Sequence, residues 1–412
     1  MSSAQISTAA EVEDPRVPLQ LRNGTAVFLV SLAGLMMANL APLIMSVLEE
    51  IGFDVVASGN ILTWTLFASA IVGLGTSRLA AGSRRRMLAA SGLIVAVLGF
   101  SSAALLSSPN FVVAGFVVGG AGVGTAISTS GAAIAALRNP NRVSATSGVV
   151  NRLLVMVVLA VIPLIGLAQV TVFGALALLS LLSLVVTLWL PNTPEFAPSD
   201  VDAALPANMA KAATPRRIKF AGSAVLVVFP LWGTSEDAVW TLAPVLGDAV
   251  GVGEQALGFA LSAAAGVGAA AMLIVTVFGR RIGRAVPLAI ALVLGGAVKI
   301  WIGVTDDPTT LAVLIVVVNT IYAFAFVLFI ATAAGLDARG TWSGPLIGAY
   351  IVGSSFAPII GAWLIDGVGI PAFGLIVGIV SFVLVVPTML IARESTRVEK
   401  ALNHLDPAQV SQ

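Results

Sequence analysis

Twelve apolar runs, each long enough to cross about 30 Å of hydrocarbon as roughly 20 residues of helix, leave this chain almost no choice of fold. They lie at 25 to 48, 57 to 79, 87 to 107, 110 to 137, 143 to 168 and 170 to 190, then at 221 to 248, 255 to 278, 286 to 303, 309 to 335, 342 to 366 and 370 to 392. Lipid offers no partners for backbone amides and carbonyls, so every run is predicted to be an α-helix. Composition agrees, with 58% hydrophobic and 10% charged residues, against roughly 25% charged in soluble domains. The predicted fold class is all-α integral membrane. The opening segment, MSSAQISTAAEVEDPRVPLQ, lacks the basic start of a cleaved leader, and the first run is expected to stay as a span.

The charges sort the loops into two sets. Arg16, Arg22, Arg78, Arg84, Arg85, Arg86, Arg138, Arg142, Lys211, Arg216, Arg217, Lys219, Arg280, Arg281, Arg284, Arg339, Arg393, Arg397 and Lys400 all fall on one side if the chain crosses twelve times. The opposite loops carry Glu49, Glu50, Asp54, Asp248, Glu254, Asp306, Asp307 and Asp366. Basic loops face the cytoplasm, so both termini are expected there, in the plasma membrane. The organisation follows: a cytoplasmic tail at 1–24, six helices at 25–190, a Pro- and Ala-rich linker at 191–219, six more helices at 220–392, and a second tail at 393–412. Cysteine is absent and the one histidine is His404, so thiol chemistry and His/Cys metal ligation have no residues and no cofactor is expected. A net charge of +1 makes no case for nucleic acid. The expected partners are a small-molecule substrate, protons and membrane lipids, and the expected state is a monomer.

The two halves echo each other. LAPL at 40 to 43 returns as LAPV at 242 to 245, the glycine–arginine turn at Gly82 returns at Gly283, and Pro163-Leu-Ile-Gly166 returns as Pro358-Ile-Ile-Gly361. Repeats at one period are the mark of many secondary transporters. On these features the chain resembles the major facilitator superfamily over its whole length. Gly75, Gly82, Arg84 and Arg85 match that family's signature after the second span, with Leu79 and Ala80 where Asp-Arg is usual; Arg281, Gly283 and Arg284 match after the eighth. GSSFAPIIGAW from Gly353 is similar to the span-5 motif of proton-coupled exporters. The resemblance implies two pseudo-symmetric six-helix bundles around a central site, and gating by Gly82, Arg84, Arg85, Gly283, Arg284, Pro358 and Gly361.

Inside the spans, GTSEDAVW at 233 to 240 sets Glu236 and Asp237 near the bilayer midplane. A charge there costs at least about 2.5 kcal/mol, which points to a proton site facing a cavity, against the simpler reading of a broken helix whose acids face outer water. Trp232, Glu236 and Trp240 share a helical face by their i, i+4, i+8 spacing. Arg152, beside Asn151, lies deep in span 5 and is expected either to bind an anionic group or to pair with the two acids, against a purely structural clamp. Lys299 is close enough to the outer end of span 9 to snorkel toward Asp306 and Asp307. Asn39, Trp64, Asn319 and Tyr322 complete the candidate substrate residues, each also able to satisfy a neighbouring backbone. Gly115, Gly119, Gly120 and Gly124 in span 4 read as a helix-packing surface.

With no nucleophile–base or phosphate-loop pattern the chain is expected not to be an enzyme. The function expected is proton-coupled secondary active transport of a small organic solute by alternating access, as an antiporter exporting it. The alternative is an importer of a carboxylate-bearing metabolite held by Arg152.

Overall fold

The computed structural model describes residues 16–138, 140–192, 216–336 and 342–403. The predicted linker at 193–215, most of the N-terminal tail, Arg339 and the chain from His404 onward lie outside the described residues. Helices α1 Leu21–Asn39, α2 Ala41–Ile51, α3 Val55–Ala81, α4 Arg85–Leu105, α5 Pro109–Ala135, α6 Pro140–Ile165 and α7 Gln169–Val186 make the first half. Helices α8 Arg216–Thr241, α9 Ala243–Val250, α10 Glu254–Ile282, α11 Ala285–Val304, α12 Pro308–Ala334, α13 Ser343–Ser354 and α14 Ala357–Asn403 make the second. Among the described residues eleven helical stretches are long and apolar enough to cross a membrane. The last of them, Pro345–Glu399, is 55 residues long and turns at Gly369, whose φ of 81° is left-handed. It therefore crosses twice, and the spans number twelve.

Proline placement explains where spans break. Pro42 and Pro244 lack an amide hydrogen and their rings press on the preceding turn. Span 1 accordingly divides at Leu40 into α1 and α2, and span 7 divides at Leu242 into α8 and α9, each second piece starting with a proline in its first turn. The repeated LAP tripeptide is thus one structural device used once in each half. Span 11 divides at Ser355 and Phe356, just before Pro358, into α13 and α14. Pro163 instead stays within α6, and the chain turns at Gly166 with φ 107°.

Glycines set the tightest helix pairs, as the span-4 reading anticipates. A Cβ at Gly122 would fall 2.5 Å from the Gly92 carbonyl oxygen and 2.6 Å from the Ala96 nitrogen, so α4 and α5 meet backbone to backbone. Between the halves, a Cβ at Gly59 of α3 would fall 2.9 Å from the Pro358 carbonyl oxygen.

Burial separates the two faces of the molecule. On the face away from the basic loops, one apolar core joins both halves, with Leu40, Ile44 and Leu48 packed in it together with Leu242, Leu246 and Leu311. On the basic face each half has a core of its own: Val27, Val30 and Leu93 in the first, Val225, Phe229 and Leu288 in the second. The far side is sealed in this conformation, and the halves separate toward the basic side.

Candidate functional site

A cavity of about 240 Å³ lies where the shared core ends, between the two halves. Asn39 of α1, Asn151 and Arg152 of α6, Glu236, Asp237 and Trp240 of α8, Asn319 and Tyr322 of α12 and Tyr350 of α13 reach its wall. The breaks at Leu40 and Leu242 put Asn39 and Trp240 at the last turns before their kinks. There the Trp240 indole N–H donates to the Asn39 carbonyl at 3.3 Å, across the interface between halves. Other bonds also cross it. Arg152 Nη1 donates to Asn319 Oδ1 at 3.0 Å, the Ser262 hydroxyl to the Met156 carbonyl at 2.7 Å, and the Ile359 amide to Thr63 Oγ1 at 3.1 Å.

The two adjacent acids, about 100° apart on the helix, have different surroundings. Glu236 turns away from the first half, and its Oε1 lies 2.7 Å from Lys299 Nζ. The same ammonium donates to the Ser235 and Ser381 hydroxyls at 2.9 and 2.7 Å. Gly295 makes room for this pair, since a Cβ there would stand 3.7 Å from Glu236 Oε1. Asp237 instead accepts a hydrogen bond at Oδ2 from the Tyr350 hydroxyl at 2.7 Å. The Tyr350 and Tyr322 hydroxyls are 2.6 Å apart. Because Tyr350 gives its only hydroxyl proton to Asp237, Tyr322 is the donor between them. The protein has two tyrosines in 412 residues, and both belong to this chain of hydrogen bonds.

Arg152 does not pair with the acids: among the described residues no carboxylate lies within ion-pair distance of it. Its guanidinium carbon stands 5.4 Å from the centre of the Tyr322 ring, a cation–π arrangement. Trp232 stacks on that same ring, with centroids 5.4 Å apart at 16°.

Several expectations are corrected by these placements. Lys299 does not snorkel toward Asp306 and Asp307; it is fully buried. The bundle-facing stripe of α11 runs Leu288, Leu292, Gly295, Lys299 and Ile302, and the helical period puts the ammonium on that stripe. Trp64 is 62% exposed on α3 and does not reach the cavity wall. Trp232 is buried behind Tyr322 in an aromatic cluster with Phe229 and Phe329, so of the two indoles flanking Glu236 only Trp240 reaches the cavity. The reading of the acids as loop residues facing outer water also fails, because Glu236 is 6% exposed within a continuous α8. Tyr350, Ser235 and Ser381 escaped the sequence reading, which gave Lys299 the wrong partners. For Lys299 the α11 stripe was a usable signal, and for Tyr350 the scarcity of tyrosine was one.

The arginines at the repeated turns hold loops within their own halves. Arg85 is buried and donates to the Ala80 and Pro191 carbonyls at 2.7 and 2.9 Å, while Arg84 at the start of α4 is exposed. Arg284 donates to the Ser395 hydroxyl at 2.8 Å and meets Glu399 at 2.9 Å. Each turn, with Gly82 or Gly283 before it, is thereby tied to the end of the last span of its bundle. Pro358 and Gly361 sit at the far-side seam, where a Cβ on Gly361 would lie 2.6 Å from Leu242 Cδ1.

The pattern of two six-helix halves around a midplane cavity closed on one side is that of a secondary transporter. The family model of the Major Facilitator Superfamily matches residues 26–344, and the chain belongs to that superfamily. Similar solved structures include the human organic anion transporter MFSD10, at 18% identity over 91% of this chain and 100% of that one, with a TM-score of 0.67. A D-xylose-proton symporter is similar at 14% identity over 89% and 96%, with a TM-score of 0.67. The nucleoside transporter NupG is similar at 15% identity over 90% and 99%, with a TM-score of 0.61. These likenesses concern the fold. Among curated proteins none matches the chain.

Proposed function

We propose that this protein is a proton-coupled secondary active transporter of a small organic solute, in which Asp237 carries the proton and Glu236 does not. The observation that supports this most is the division of labour between the acids. Glu236 is held by Lys299, whereas Asp237 faces the cavity with neutral hydroxyls beside it, that of Tyr350 at 2.7 Å and that of Ser354. A carboxylate with no cation partner, at the place where solute enters, is free to exchange a proton as access alternates. Tyr322 extends the hydrogen-bonded chain toward Arg152, so a change at Asp237 in the second half is felt by a cation of the first. A coupled carrier needs such a link, because a ligand shifts a conformational equilibrium only through differential affinity.

The one-sided basic loops favour cytoplasmic termini and a carrier in the plasma membrane, and on that reading the described conformation is the inward-facing one. Arg85 and Arg284, bound within their own bundles while the basic side is apart, are assigned to the gate that forms when it closes.

The test is transport into proteoliposomes, with and without an imposed pH gradient, across radiolabelled carboxylates, organic cations, sugars and nucleosides. For the solute that moves best, Asp237→Asn is expected to abolish gradient-driven accumulation and to keep exchange down a concentration gradient. Accumulation at the wild-type level in Asp237→Asn would overturn the assignment.

A further inference from the structure

We infer that the solute is a monovalent organic anion with an apolar body, its charged end seated between Asn151, Arg152 and Asn319; this rests on the proposed transport role of the same cavity. The first argument is the supply of donors. Asn319 uses Oδ1 to accept from Arg152, and Asn151 uses Oδ1 to accept from Asn39 Nδ2 at 3.2 Å. Those bonds fix the amide orientations and leave both NH₂ groups without a partner among the described residues. Neither nitrogen is among the fully enclosed unpaired atoms, and both residues line the cavity. Of the N–H groups on Arg152 one alone has a hydrogen-bond acceptor among the described residues, Asn319. The corner between α6 and α12 therefore presents N–H donors from two amides and a guanidinium. A ligand group made only of acceptors and carrying negative charge, such as a carboxylate, matches that corner best; a sugar hydroxyl accepts only as a neutral group, and an ammonium does not accept at all.

Charge counting fixes the valence. The Glu236–Lys299 pair sums to zero however its proton is shared, and Arg152 and charged Asp237 also sum to zero. Once Asp237 takes a proton the site carries one net positive charge, which one anionic group balances. A dianion would leave a negative charge in a low-dielectric span, where even one costs a few kcal/mol. Proton and anion then bind together, which makes the coupling symport. The remaining wall is apolar, with Leu35, Leu66, Ile127, Met272, Ile315 and Phe326, and so accommodates a hydrocarbon body. An anion in this corner would also touch both halves at once, since α6 and α12 belong to different bundles, and that is what a carrier needs to sense its cargo.

The test uses near-isosteric probes on the full-length protein in detergent: benzoate, benzamide, benzylammonium and phenyl phosphate. A ligand that binds only the folded state raises its apparent stability in a saturable way. Benzoate is expected to raise the melting temperature, and the neutral amide, the cation and the dianion to do so at least ten-fold more weakly in concentration. Asn319→Asp, which keeps shape but turns the free donor into a carboxylate beside Arg152, is expected to weaken benzoate binding at least ten-fold. Asn319→Ser, which keeps the cavity uncharged, should retain part of it, so that a folding defect is told apart from loss of the site. Stabilisation by benzylammonium or benzamide equal to that by benzoate, no response to benzoate at all, or unchanged binding in Asn319→Asp would overturn the inference. In liposomes the probes are benzenesulfonate and phenyltrimethylammonium, which stay ionised and do not cross lipid unaided. Protein-dependent exchange of the sulfonate with no response to a pH gradient would sink proton coupling and leave the anion site standing, and gradient-driven accumulation of the quaternary cation would do the reverse.

Discussion

Lys299 Nζ lies 2.7 Å from Glu236 Oε1, and the two side chains are 0% and 4% exposed. An ion pair this deep joins α11 to α8, and through the Ser381 hydroxyl it also joins α14. Removing one member strands the other charge in an apolar bundle, which in buried pairs costs about 3–5 kcal/mol, whereas replacing both is close to neutral. Lys299→Met is therefore expected to lower thermal stability sharply in detergent, and Lys299→Met combined with Glu236→Gln to recover most of the loss. Equal stability of the single and double variants would mean that the pair is not an isolated clamp.

Tyr350 gives its hydroxyl proton to Asp237, and Tyr322 gives its own to Tyr350. Tyr350→Phe leaves a carboxylate oxygen without its donor, at a cost of about 1–3 kcal/mol; Tyr322→Phe leaves only a phenol without one. Gradient-driven accumulation in proteoliposomes should fall further in Tyr350→Phe than in Tyr322→Phe. The reverse order would show that the hydroxyls are not arranged in series toward Asp237.

Past the far end of the first apolar run, burial and then the neighbouring Asp248 push the Glu49 carboxyl from the ordinary 4.5 to about 7. Both acids sit at the sealed far side, with Glu50 next to Glu49 in sequence. Opening that side returns Glu49 to water, so the sealed state binds the proton more tightly. Below the ordinary value both states are protonated and neither is favoured; above about 7 both are charged and the sealed state bears the burial cost. The bias toward sealing thus grows as pH falls through this window. A cysteine at cavity-lining Ala38, in an otherwise cysteine-free chain, should be labelled from the far side more slowly at pH 6 than at pH 8 after correction for thiol reactivity. Glu49→Gln should flatten the difference, and an unchanged pH response in that variant would remove Glu49 from the gate.

Gly361 faces Leu242 at the break of span 7. A methyl there meets the movable end of Leu242 at 2.6 Å and the Ala238 Cβ at 3.3 Å, and a larger group presses further on both. Gly361→Ala should keep most of the exchange activity, while Gly361→Leu should block it and still elute as a folded monodisperse protein. Wild-type exchange in Gly361→Leu would show that this seam does not move during transport.

The sequence by itself determined the number of crossings, the breaks in the paired spans and the depth of the two acids. The reasons are local: the length of apolar runs in hydrocarbon, the missing amide hydrogen at Pro42, Pro244 and Pro358, and the position of GTSEDAVW within its span. One-sided basic loops likewise set an expectation for orientation without any coordinates. The near-identical phrases at Leu40 and Leu242 were legible as a repeat, and the structure shows that each marks a kink. What the tertiary structure alone decided is which neighbour each polar side chain finds. Helical periodicity assigns a residue to a face and says nothing about which helix that face meets. Glu236 and Asp237 look equivalent in the chain, yet one turn of 100° sends the first to Lys299 of α11 and the second to Tyr350 of α13. Trp64 and Trp240 are both indoles within spans, and only packing leaves the first exposed on α3 and brings the second onto Asn39. Arg152, equally able on sequence grounds to pair with an acid or to bind an anion, meets Asn319 and the Tyr322 ring because its long side chain reaches α12 across the cavity at that depth.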